Sequence, residues 1–312
     1  MKVREKSTPA KKTSRKIEKE RHRIAQLLSE ALPYIRRFSK KVIVVKYGGN
    51  AMIDSDLEHG FAKDIALLHL VGFYPIVVHG GGPQITRLME ALGHKEAFYH
   101  GMRISDDATM EVVEMVLAGK INKNIVSLIT NYGASAIGIT GLDAHFMKTK
   151  PLKLSPCNGE KVVDLGRVGK VTDINADFLY KLLHNNLVPV IAPIGVGSKG
   201  EGYNVNADVI AGEVARAMDA EKLILMTNTP GVLNKKGELL TSLSPKDVAA
   251  LINDGTIQGG MLPKIQSALD TAKKSHNRVH IIDGRIPHGL LLELFTDEGI
   301  GSMILPDGEE NT

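Results

Sequence analysis

Two glycine clusters are the stretches of this chain best suited to chemistry: Lys46-Tyr47-Gly48-Gly49-Asn50 and His79-Gly80-Gly81-Gly82-Pro83. Each follows a β-branched run, where a strand hands over to the next element. Glycines there let backbone N–H groups converge on an anion, and a helix opening after the second cluster adds its positive end. A tight turn explains either loop alone; two such loops, one carrying a lysine, argue for a phosphate site. The string G-x-x-x-x-G-K-[ST] is absent, so the cradle is not a P-loop. A G-x-G-x-x-G string does occur, Gly195-Val196-Gly197-Ser198-Lys199-Gly200. A dinucleotide fingerprint opens directly into a helix, whereas residues 201–206 intervene here, so the string reads as a mobile glycine loop.

Asn204-Val205-Asn206-Ala207-Asp208 begins the next helical pattern. Helix capping explains one of these side chains; three amides or carboxylates in five positions describe a ligand-holding edge. Lys264, in Gly259-Gly260-Met261-Leu262-Pro263-Lys264, is either a second phosphate contact or a solvated lysine at a helix start. His79 reads as structural rather than as a base. The set holds lysines and backbone amides with no evident histidine base or cysteine nucleophile, which fits phosphoryl transfer by positioning and charge neutralisation.

These residues need strands and helices to hold them. Strand-like runs fall at 42–46, 75–78, 136–139, 188–193, 222–226 and 279–282, alternating with helical patterns at 57–70, 85–92, 108–129, 177–184, 208–218 and 265–274. The alternation predicts an α/β fold, an open αβα sandwich around a largely parallel sheet, with ligands at the carboxyl ends of the strands. Between 145 and 171 the pattern suggests an inserted β-hairpin with Cys157 near its tip. Ahead of the first strand, Ile24, Leu27, Leu28, Ala31, Leu32, Ile35 and Phe38 mark one face of an amphipathic helix that Pro33 should kink, and a second subunit is the favoured cover for that face.

Charge is unevenly spread. Residues 1–41 hold 14 Lys and Arg against 4 Asp and Glu, a net +10 that leaves −6 for the body of a +4 chain. The basic arm reads as a solvated tail, disordered over about the first sixteen residues. The absence of Trp, a 4% aromatic content and the lack of a recognition signature argue against nucleic-acid binding. A lone cysteine fits the reducing cytoplasm, and no apolar run approaches the roughly 20 residues of a membrane span.

Together these stretches resemble the amino-acid kinase family, and within it the acetylglutamate kinases, over about residues 27–305. The motifs that carry the resemblance are Lys-Tyr-Gly-Gly-Asn-Ala-Met (46–52), His-Gly-Gly-Gly-Pro (79–83), Gly-Met-Arg-Ile-Ser (101–105), Asn-Val-Asn-Ala-Asp (204–208) and Gly-Gly-Met-Leu-Pro-Lys (259–264). It implies ATP-dependent phosphorylation of the side-chain carboxylate of N-acetyl-L-glutamate, with Mg²⁺ held mainly by the nucleotide phosphates. Lys46 and Lys264 would flank the moving phosphoryl group and Asp208 would hold both lysines. Gly49, Gly81 and Gly82 would supply amides, Arg103 would grip the substrate α-carboxylate, and Asn204 and Asn206 would complete its pocket.

Gly48, Thr227, Asn228 and Gly231 would serve the nucleotide, although Asn228 stands where many family members have Asp. The resemblance divides the chain into a basic arm and oligomerisation helix (1–41), an amino-acid-substrate lobe (42–195) and a nucleotide-binding lobe (196–312). The N-terminal helix and the tail further resemble the arginine-inhibited branch, in which such helices interlace dimers into a hexamer, a trimer of dimers. In that branch Tyr34, His280, Glu293 and Gly299 would contact L-arginine. Another carboxylate or carbamate kinase of the same family, or a non-catalytic arginine sensor, remains open at this point.

Overall fold

The computed structural model describes residues 9–153, 164–258, 261–274 and 278–306. Helix α1 (Pro9–Phe38) leads into β1 (Val42–Tyr47), α2 (Ser55–Leu70), β2 (Tyr74–His79), α3 (Gly82–Ala91) and the short strands β3 (Phe98–Tyr99) and β4 (Met102–Arg103). A long helical run follows: α4 (Asp107–Glu114), a π-helical stretch at Met115–Ile121, and α5 (Asn122–Asn131). Next come β5 (Ala136–Ile139), β6 (Met147–Pro151), β7 (Gly169–Ile174), α6 (Ala176–His184), β8 (Val188–Ile191), β9 (Ile194–Val196) and β10 (Gly202–Asn204). The chain continues with α7 (Ala207–Ala217), β11 (Lys222–Thr227), β12 (Ser242–Leu243), α8 (Pro245–Asn253), α9 (Met261–Lys274), β13 (Arg278–Asp283), α10 (Gly289–Phe295) and β14 (Ser302–Ile304).

Eight strands form one sheet in the order β12-β14-β13-β11-β1-β2-β8-β5. Pairing is parallel from β13 through to β5, as the alternating pattern predicts, and β14 runs antiparallel to β13. All six residues of β1 are buried because helices cover both faces of the sheet. Successive residues face opposite sides: Ile43 and Val45 join one apolar core, Val42 and Val44 the other. The sheet runs unbroken across the 195/196 boundary, since β1 pairs with β2 on one side and β11 on the other.

Several details depart from expectation. The Gly195–Gly200 string is a β-hairpin: β9 and β10 pair antiparallel, and the Gly197 N–H donates to the Glu201 carbonyl at 2.8 Å. Its glycines fit a tight sheet corner, where a Cβ at Gly195 would lie 2.1 Å from the Thr149 side chain. The 108–129 helix is interrupted by the π-helical stretch. Strands β6 and β7 pair antiparallel as the inserted hairpin requires, while Cys157 lies outside the described residues. Helix α1 starts at Pro9, so residues 9–16 are helical rather than disordered; Pro suits a first helical position, and the Ala, Lys and Arg that follow are good helix formers. The helix runs through Pro33 to Phe38.

Within α1, Ile24, Leu27, Leu28 and Leu32 are exposed, whereas Phe38 is buried edge-on against Phe73 at 5.6 Å between ring centres. Phe38 therefore anchors the helix to the body. Phe38→Ala is expected to destabilise the chain by about 3–5 kcal/mol, the usual cost of emptying a buried aromatic site, as a lower midpoint in chemical denaturation.

Candidate active site

Lys46, near the carboxyl end of β1, is buried, and its Nζ lies 3.1 Å from Asp208 Oδ1. The other carboxylate oxygen, Oδ2, lies 3.1 Å from Lys264 Nζ. Asp208 stands in the first turn of α7 because Asn206 caps that helix, its side chain accepting the N–H groups of Asp208 and Val209. Burial alone pushes the Asp208 carboxyl up; the two lysines overcome this and hold it below the usual carboxylate range. Burial pushes the Lys46 ammonium down, Asp208 opposes that, and Lys264 adds to it. The charge of Lys46 thus depends on its carboxylate partner.

Both glycine clusters reach this group. In register, Tyr47 pairs with His79, and the Gly80 N–H donates to the Tyr47 carbonyl at 2.9 Å. A Cβ at Gly48 would lie 2.7 Å from Lys46 Nζ. Gly49 adopts a φ of +73°, and a Cβ there would lie 2.3 Å from Asn228 Oδ1. At Gly82 a Cβ would meet nothing within 4 Å, so this residue faces open space at the start of α3.

The open space is a cleft of about 320 Å³ lined by Lys46, Gly48, Gly49, Gly81, Gly82, Arg103, Asn204, Asn206 and Asp208, with Lys264 reached through the Asp208 carboxylate. Asn204 is held by a hydrogen bond from its side-chain amide to Ser105 Oγ at 3.2 Å. Arg103 is buried, donates to the Gly82 carbonyl and Thr86 Oγ1 at 3.2 and 3.1 Å, pairs with Glu96, and stacks 4.8 Å from the centre of Phe98. Sequence reasoning missed Glu96 and Phe98. Only the β3–β4 hairpin, which pairs Phe98 with Arg103, brings them in, and two residues per strand leave almost no periodic signal.

Of the residues expected at the nucleotide, Gly48 lines this cleft, whereas Thr227, Asn228 and Gly231 sit outside its lining. Thr227 ends β11, next to β1, and its hydroxyl accepts the Thr229 N–H at 3.0 Å. Asn228 lies against Gly49. Gly231 turns away to pack on Ser302 and Leu239, with a φ of +147°. Gly259 and Gly260 lie outside the described residues. His79 is fully buried and outside the cleft lining, consistent with a structural histidine.

A second cavity, of about 170 Å³, gathers Tyr34, His280, Glu293 and Gly299 from α1, β13, α10 and the turn after it. His280 Nδ1 lies 2.5 Å from Glu293 Oε1, and Glu293 Oε2 accepts the Ile300 N–H at 2.8 Å. Burial keeps the imidazole neutral, so Nδ1–H donates; burial alone raises the Glu293 carboxyl, and these two hydrogen-bond donors hold it low. Gly299 has a φ of +62°, and a Cβ there would lie 2.7 Å from Glu293 Oε2. Tyr34 donates its hydroxyl hydrogen to Asp297 at 2.6 Å.

A sheet with glycine loops at its strand ends and a carboxylate bridging two lysines defines a class, and the amino acid kinase family model matches residues 41–283. The chain belongs to that family and is an enzyme. Among its relatives, the acetylglutamate kinase of Hydrogenovibrio crunogenus is 54% identical over 285 residues, covering 90% of this chain and 96% of the relative. That of Neisseria gonorrhoeae is 54% identical over 286 residues, covering 92% and 96%. A solved structure of N-acetylglutamate synthase from Neisseria gonorrhoeae, complexed with coenzyme A and N-acetyl-glutamate, superposes with a TM-score of 0.80 at 24% identity; it covers 92% of this chain and 64% of its own. That likeness speaks to the fold.

Asp208→Asn is expected to lower kcat for phosphoryl transfer about 100-fold. The alkaline limb of the pH–rate profile should move to lower pH, because Lys46 loses the charge that opposes its burial. Stability responds too. The Asp208 carboxyl is held low in the folded chain, so its contribution is complete above the ordinary carboxylate range and is lost as pH falls through the folded value. Denaturation midpoints measured into acid should lose that component in the variant.

Proposed function

We propose that this chain transfers the γ-phosphate of ATP to the side-chain carboxylate of N-acetyl-L-glutamate, forming N-acetyl-L-glutamyl 5-phosphate in cytoplasmic arginine biosynthesis. The observation that carries the reading is the Lys46–Asp208–Lys264 bridge at the edge of a cleft that also holds the glycine amides and Arg103. The acceptor carboxylate is ionised at neutral pH and needs no base. Lys46 and Lys264 neutralise charge on the transferring group, the amides of Gly49, Gly81 and Gly82 orient oxygens, and Arg103 with Asn204 and Asn206 holds the amino-acid end. Residues 42–195 then supply most of the acceptor site, and residues 196–312 most of the nucleotide site, including Asn228, which lies against Gly49, with Thr227 and Gly231 shaping its loop and Gly48 serving the nucleotide from the first lobe.

Among the described residues no group of three or more His, Cys, Asp or Glu side chains is arranged to hold a metal ion. The carboxylate in the cleft is already engaged by two lysines. In the proposed reaction a Mg²⁺ ion would be held mainly by the nucleotide phosphates, where it would supply charge neutralisation.

L-Arginine is the proposed inhibitor at the second cavity. Glu293, Asp297 and Glu298 offer anions for a guanidinium, while Lys222 and Arg37 on the same wall offer cations for an α-carboxylate. The exposed leucines of α1 support burial of that face against another subunit, and the assembly proposed is a hexamer, a trimer of dimers.

Incubation with ATP, Mg²⁺ and N-acetylglutamate or glutamate, followed by hydroxylamine trapping, tests the chemistry. Trapped product is expected from acetylglutamate alone and should fall when L-arginine is added. Product from neither acceptor would discard the assignment in favour of another carboxylate or carbamate kinase, or a silent arginine sensor. Removing residues 1–30 keeps Tyr34 and Phe38 in place; light scattering should then report a smaller particle, and an unchanged hexamer would overturn the role given to α1.

A further inference from the structure

The last residue of β2, His79, is fully buried directly before the second glycine cluster. Its Nδ1 lies 2.8 Å from the Gly80 carbonyl oxygen, which can only accept, so Nδ1 carries the proton. Its Nε2 lies 3.2 Å from Asn122 Nδ2, and the same amide nitrogen donates to the Val190 carbonyl at 2.9 Å. A carbonyl partner fixes which way the Asn122 amide points, so its second N–H faces Nε2, which must accept. Both ends of the ring therefore demand one tautomer. Lys123 Nζ completes the arrangement, lying 3.2 Å from Asn122 Oδ1 and 3.1 Å from the Gly138 carbonyl. A Cβ at Gly138 would lie 1.7 Å from Asn122 Oδ1, so a larger residue would evict the amide.

The π-helical stretch explains how Asn122 arrives there. Its N–H bonds to the Leu117 carbonyl five residues back, which places Asn122 one wide turn beyond Leu117. Leu117 and Ile121 press on Gly81, where a Cβ would lie 2.5 Å from each. One helical run thus holds the glycine loop twice: apolar contact at Gly81, and Asn122 acting through His79 on the carbonyl of Gly80.

We propose that His79 and Asn122 are positioning residues that aim the Gly81 amide into the cleft for phosphoryl transfer. The Gly80 carbonyl and the Gly81 N–H belong to one planar trans peptide, so tying the oxygen toward His79 points the hydrogen the opposite way. A hydrogen bond on the carbonyl also polarises that amide. Burial lowers the imidazole to about 4, which keeps it neutral and the donor in place near neutral pH. The inference rests on the kinase reading given above.

Two substitutions separate positioning from mere packing. His79→Asn keeps an N–H near the Nδ1 position and is expected to hold kcat within about threefold. His79→Gln carries its amide toward the Nε2 position and should lose about 100-fold in kcat with little change in KM for either substrate. In the wild type, ¹⁵N NMR should report a protonated Nδ1 and a bare Nε2 on His79 at neutral pH. An Nε2–H ring, or equal kcat in folded His79→Asn and His79→Gln proteins, would overturn the proposal. The two readings fail separately, since absence of acetylglutamate turnover in the wild type defeats the acceptor assignment while the ring tautomer is read without turnover.

Discussion

The parallel pairing of β1 with β2 on one side and β11 on the other is the constraint on which the site depends. Register fixes Tyr47 opposite His79 and Lys46 opposite Leu225, so three chain segments leave the sheet side by side at its carboxyl edge. Two of them are the glycine loops, and the third carries Thr227 and Asn228. A slip of one residue in either pairing would turn Lys46 to the opposite face of the sheet. The continuous burial of β1 by two apolar cores makes such a slip costly, so hydrophobic packing on both faces of the sheet is what places Lys46.

Charge then completes what the sheet begins. Lys46 is carried into a dry position by its strand, and burial there disfavours its charged form. Asp208 answers from the first turn of α7 and is itself kept ionised by Lys46 and Lys264. Removing one member leaves an uncompensated buried charge, so the three groups behave as a unit. The cavity around His280 and Glu293 is connected to the same framework, because β13, which carries His280, pairs in register with β11. In the proposed regulation, arginine at one end of this strand pair and acetylglutamate at the other would weaken each other's binding by the same factor.

Much of this site was legible in the sequence because its parts are local. Glycines after a β-branched run, Asn-x-Asn-x-Asp at a helix start and a lysine opening the next helix announce themselves within a few residues, and the structure gathers them although Lys264 and Asp208 stand 56 positions apart. What escaped was set by tertiary contact. Glu96 has no pattern of its own and gains meaning from the β3–β4 turn; Asn122 sits in what reads as an ordinary helix until a π turn rotates it toward His79. The helix at 9–16 escaped for another reason: a basic, polar composition is shared by disordered tails and by solvated helices, and side-chain charge alone does not separate them. Gly231 was placed by motif, and its packing on Ser302 is a long-range fact.

The pairing of Arg103 with Glu96 bears on what the cleft can recognise. A guanidinium buried without a partner would pay a large desolvation cost, and burial already lowers its pKa. Glu96 supplies the missing charge, while Gly82, Thr86 and the Phe98 ring fix the plane of the fork. An incoming carboxylate must therefore either share the fork with Glu96 or displace it, and in both cases it meets an arginine whose orientation is already set. Affinity is reduced by that competition and selectivity is raised, because a ligand lacking a correctly placed anion has nothing to offer in exchange for the internal pair. On the proposed reading this favours an acceptor with two carboxylates, one to hold Arg103 and one to receive the phosphoryl group at the lysines.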